Sequence, residues 1–128
     1  MCFTGGFALG MTVDPSVIAP VLSQPSLPLP VSKKARASIH LSPEDLRVVK
    51  ERIDNDDICV LGMRFTNDRE LGDGFIGVEI DSSEGNEWSI PTNAHSVVTE
   101  HLVDEPGHPT NAALEQVLAF FRERLLSA

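Results

Sequence analysis

The sequence predicts an α/β protein, helices layered on a sheet, on three observations. Apolar residues at helical spacing and short apolar runs alternate along the chain. Proline and glycine clusters separate them. The run Ile58-Cys59-Val60-Leu61-Gly62-Met63-Arg64-Phe65 is nearly continuous in apolar residues, as in strands covered on both faces.

The elements follow in chain order. Residues 5–12, small and apolar, suit a tightly packed helix, which Asp14-Pro15 ends. Val17 to Leu22, between Pro15 and Pro25, reads as a buried strand. Prolines from Gln24 to Arg36 forbid regular pairing, and Lys33-Lys34-Ala35-Arg36 reads as solvated surface. Ser42-Pro43-Glu44-Asp45 marks a helix start, with Ser42 as N-cap and Asp45 completing a capping box. Leu46, Val49 and Ile53 supply that helix's apolar face. Strands are expected at 58–65 and, after Gly72-Asp73-Gly74, at 75–80; residues 81–94 read as loop. A last helix from about Thr110 places Leu114, Val117, Leu118, Phe121 and Leu125 at helical spacing. Thr66 to Gly74 is nine residues, short for a parallel crossover. Strands 58–65 and 75–80 are therefore expected either to pair antiparallel or to lack a crossover helix.

With 128 residues the chain makes one domain. Ten Lys and Arg against 19 Asp and Glu give a net charge of −9, which offers no basic stripe for nucleic acid or anionic membranes. No apolar run reaches membrane-span length, no signal peptide is apparent, and two cysteines are few for a secreted scaffold; a reduced, cytoplasmic protein is expected. Cys59, inside an apolar run, reads as a small buried hydrophobe. His40, His101 and His108 match no metal-ligand spacing, and no metal or cofactor is expected.

Three residues carry candidate chemistry. Cys2 sits just before a side-chain-poor turn that opens a helix, where free N–H groups lower a thiol pKa and hold an oxyanion. Asp68 follows a buried strand, at the end where open α/β sheets place their sites. His95 lies in a loop after a strand. The order Cys, Asp, His is the nucleophile, acid, base order of α/β-hydrolases.

Met1-Cys2-Phe3-Thr4-Gly5-Gly6-Phe7-Ala8-Leu9, the stretch Ala19 to Pro28, Leu41-Ser42-Pro43-Glu44-Asp45-Leu46, Met63-Arg64-Phe65-Thr66-Asn67-Asp68 and Ala94-His95-Ser96-Val97 resemble the dienelactone hydrolase family of α/β-hydrolases. The resemblance runs along the whole chain and covers about the C-terminal half of the family's fold, a mostly parallel sheet with flanking helices. It implies Cys2 as nucleophile, His95 as general base, Asp68 as the acid that orients the imidazole, and the Phe3 backbone N–H as an oxyanion donor. The implied partner is a small ester or lactone. Thr4 stands where the closest family pattern has glycine, and only Arg69-Glu70 stands where the family carries a crossover helix. Ser96 to Thr99 contains none of the cations with which dienelactone-specific members hold the substrate carboxylate. The alternative expectation is a truncated, non-catalytic module that self-associates through exposed sheet edges.

Overall fold

The computed structural model describes residues 3–24, 41–56, 58–66 and 77–126. Its elements are α1 (Phe3–Met11), β1 (Val21–Ser23), α2 (Pro43–Asn55), β2 (Leu61–Phe65), β3 (Gly77–Ile80) and α3 (Pro109–Leu126). The three strands form one parallel sheet in the order β1-β2-β3. This is an α/β architecture with flanking helices.

Parallel pairing decides between the two expectations for the second and third strands. Gly62 stands opposite Gly77 and Phe65 opposite Ile80 in parallel register, so antiparallel pairing is excluded. β2 covers Leu61–Phe65 rather than 58–65, and eleven residues, 66–76, separate it from Gly77, the first described residue of β3. Eleven residues reach up to about 36 Å, against roughly 13 Å for a return along four strand residues. Where β2 and β3 pass each other, a Cβ on Gly77 would collide with the Gly62 carbonyl. Only glycine allows that approach.

One face of the sheet carries the core. Register puts Met63 beside Val78 and Phe65 beside Ile80 on this face; Met63, Phe65 and Ile80 pack with Ala113 and Val117 of α3. The buried face of α3 is therefore the Ala113, Val117, Phe121 stripe at i, i+4 and i+8. Leu118 and Leu125, expected inside, are 37% and 49% exposed. On the opposite face Arg64 pairs with Glu79 at 2.6 Å. Burial on both faces of β2 is thus not what the structure shows at Arg64, whose charge meets its partner in a half-exposed setting.

Local chemistry explains the element ends. The Ser42 hydroxyl accepts the Asp45 N–H at 3.0 Å, with Pro43 opening α2, as the capping signal predicts. Val49 is buried, but Ile53 is 45% exposed. Arg52 one position earlier takes the interior place, donating to the carbonyls of Thr12, Asp14, Pro15 and Val17. A single guanidinium thereby ties together the turn that follows α1, where an unmet acceptor at the buried Thr12 would cost about 1–3 kcal/mol. β1 covers Val21–Ser23 rather than 17–22: Ile18 is exposed and pairing begins with the Pro20 carbonyl, which accepts the Leu61 N–H at 3.1 Å. Cys59 is exposed, because residues 58–60 lead into β2 without belonging to it. No helix among the described residues is long and apolar enough to cross a membrane.

Candidate functional site

The described part of the site is built around His95 in the loop between β3 and α3. Asn86 organises the loop: its side-chain amide donates to the Ser83 and Ile90 carbonyls at 2.8 and 2.7 Å, and its oxygen accepts the Ile90 N–H at 2.9 Å. The Ala94 N–H then closes a turn on the Pro91 carbonyl at 2.8 Å. Ala94 and Val97 are buried on either side of the half-buried His95, so the chain is pinned before and after it.

Ser96, next to His95, holds a left-handed backbone with φ of 73°. A non-glycine residue keeps such a conformation only where its surroundings over-determine it, at about 1–3 kcal/mol. Here the Ser96 N–H donates to the Oε1 of Gln24, a buried contact. The Ser96 carbonyl accepts the His101 and Thr99 N–H groups at 3.2 and 3.4 Å. Gln24 is itself left-handed at φ 44° and only 1% exposed. It directly follows β1, and its N–H donates to the Met63 carbonyl at 2.8 Å. Two strained residues thus lock together and tie the His95 turn to the carboxyl end of the sheet. Ser96→Gly should hold stability within about 1 kcal/mol of the parent, while Ser96→Val should lose about 1–3 kcal/mol, read as urea midpoints.

His101 completes the turn. Its Nδ1 meets the His95 backbone, accepting the His95 N–H at 3.2 Å in one tautomer and donating to the His95 carbonyl in the other. Its ring stands edge-on to Phe65, the last residue of β2, at 6.0 Å between centroids. The same edge of the sheet is closed by the Thr66 N–H on the Ile80 carbonyl at 2.9 Å and the Ser82 N–H on the Thr66 hydroxyl at 3.0 Å. Just past β3, the Ser83 N–H, then the Ser83 and Thr66 hydroxyls, holds the Asp81 carboxyl below its ordinary pKa. Its charge therefore persists as the pH falls through the usual carboxylate range.

Of the residues expected to carry chemistry, His95 lies on this edge. Cys2 and Asp68 lie outside the described residues, as do His40 and the Lys33 to Arg36 run. In the chain, Cys2 immediately precedes Phe3, the first residue of α1, and Asp68 comes three residues after Phe65. The Phe3 N–H belongs to the first turn of α1, where N–H groups have no partner within the helix. Sequence reasoning missed Gln24, Ser96 and His101. Glutamine and serine carry no left-handed signal of the glycine kind, and the Gln24 to Ser96 bond joins positions 72 apart. Among the described residues no group of three His, Cys, Asp or Glu side chains is placed to hold a metal ion.

No protein-family model, curated protein or solved structure matches this chain.

Proposed function

We propose that the chain is a thiol-dependent hydrolase of carboxylic esters or lactones, dienelactone-hydrolase-like, with Cys2, Asp68 and His95 as its triad. The supporting observation is the His95 turn, strained at Ser96 and fastened by Gln24 to the carboxyl end of a parallel sheet. That end is where α/β sheets assemble their sites, and strain held in place there marks a position whose geometry matters. In this reading the His95 imidazole takes the Cys2 thiol proton and the thiolate attacks the ester carbonyl. The Phe3 N–H stabilises the developing oxyanion, the alcohol leaves with the proton from His95, and a water activated by His95 then releases the acid from the Cys2 thioester. Asp68 orients the imidazole. Hydrolysis of p-nitrophenyl acetate by the parent, Cys2→Ala and His95→Ala decides the matter. Equal rates in all three would falsify the catalytic reading.

A second reading is a non-catalytic, self-associating module. The observation that favours it is that β1 and β3 are both outer strands of the described sheet, and open edges template pairing between copies. Size-exclusion chromatography distinguishes it: a cooperatively melting monomer counts against association, and oligomers that vanish on placing a proline at the outward-facing N–H of β3 (Glu79→Pro) support it.

A further inference from the structure

The His95 imidazole is placed only as well as the backbone that carries it. That backbone is gripped by a side chain six positions on, since His101 Nδ1 reaches both the N–H and the carbonyl of His95. His101 is itself fixed from two directions. Its main-chain N–H donates to the carbonyl of the left-handed Ser96 at 3.2 Å, and the following residue, Leu102, donates its N–H to the Thr99 carbonyl at 3.3 Å. Its ring stands edge-on, at 79°, to the fully buried Phe65 at the carboxyl end of β2. Gln24 after β1 holds Ser96, so the turn is fastened to two neighbouring strands at once.

Imidazole suits this place for a reason that a plain aromatic ring lacks. Nδ1 with a lone pair accepts an N–H, and Nδ1 with a proton donates to a carbonyl. Both backbone groups here belong to one residue, so either neutral tautomer, and the cation, keeps a bond to His95. The grip is therefore indifferent to which ring nitrogen carries the proton. A residue present only to pack on Phe65 needs a ring and no polar atom at that position.

We propose that His101 is a positioning residue for His95, whose Nδ1 clamps the His95 backbone to the carboxyl end of β2 and so aims the imidazole. Its part in catalysis rests on the hydrolase reading, in which His95 is the base for Cys2; the clamp itself does not. A catalytic group displaced by about 1 Å loses on the order of a hundredfold in rate. The loss falls on kcat and spares KM, because in that reading the imidazole acts on the thiol proton and does not hold the ester.

Two substitutions in the full chain separate a clamp from packing. His101→Asn keeps a polar atom where Nδ1 stands and loses the ring, whereas His101→Phe keeps the ring and loses the polar atom. With p-nitrophenyl acetate, His101→Phe should lower kcat about 10- to 100-fold with KM within about twofold, and His101→Asn should recover to within about threefold of the parent. Backbone amide relaxation reads the same ranking without any chemistry. The His95 order parameter should stay near ~0.85 in the parent and in His101→Asn, and fall toward ~0.6 in His101→Phe. Circular dichroism checks that each chain is folded, and His101→Leu takes the place of His101→Phe should the larger ring unfold it. Better retention of kcat and of the order parameter by His101→Phe than by His101→Asn, or no change in either variant, overturns the proposal. A parent no faster than Cys2→Ala sinks the hydrolase reading instead, and the order parameters then support or overturn the clamp by themselves.

Discussion

Cys2→Ala should cut the hydrolysis of p-nitrophenyl acetate by roughly a thousandfold or more, to the rate set by the remaining groups of the site. The magnitude follows from the division of labour. In the proposed mechanism no covalent intermediate forms without the thiol, and the barrier returns to that of direct attack by water. His95→Ala should fall to a similar level, because an unactivated thiol and an absent thiol are nearly equivalent in a triad that acts as a unit. The double variant should be no worse than either single one, since the two effects are grossly non-additive. Additive losses would mean that the two residues act separately, and His95 would then be no base for Cys2. A fall in kcat with folding unchanged separates this outcome from damage to the loop.

The second large effect is on stability. Phe65→Ala should cost about 3–5 kcal/mol, a sizeable share of the roughly 5–15 kcal/mol of a typical domain. Phe65 is fully buried and packs in the cluster that joins β2 and β3 to α3. It also receives the edge of His101, whose Nδ1 binds the His95 backbone. Truncation therefore opens a cavity under the His95 turn as well as in the core. Phe65→Leu, which keeps most of the volume, should cost about 1–2 kcal/mol. Urea midpoints for the three proteins at constant m-value check the series. Equal stability of Phe65→Ala and the parent would contradict the core described here.

The described elements show which parts of the chain were readable in advance. Start signals with a local mechanism survived: Ser42 caps α2 through Asp45 because the bond needs only neighbouring residues. The last helix likewise begins at Pro109, beside the expected Thr110. Helical spacing alone did not say which stripe is inward. On α3 the sheet selects Ala113 and Val117, small enough for close approach, and leaves Leu118 and Leu125 out. On α2 the buried Arg52 displaces Ile53, since a guanidinium serving four backbone carbonyls outweighs one exposed isoleucine. Apolar runs overstated the strands, as at Cys59 and Ile18, because hydrophobicity marks proximity to the core and not the ladder itself.

Of the candidate site, the placement of His95 in a loop after a strand was legible in advance. His95 stood out by its loop and its neighbours in the sequence. The device that orients it did not, because a bond from Gln24 to Ser96 exists only once β1 and the distant loop have met.

The most direct measurement is mass spectrometry of the protein quenched within the first turnovers of p-nitrophenyl acetate. The account predicts one added acetyl group, on the peptide that contains Cys2, which decays with the turnover rate and is missing in Cys2→Ala. An unmodified Cys2 during turnover, or an acetyl group that accumulates instead on the exposed Cys59, would contradict it.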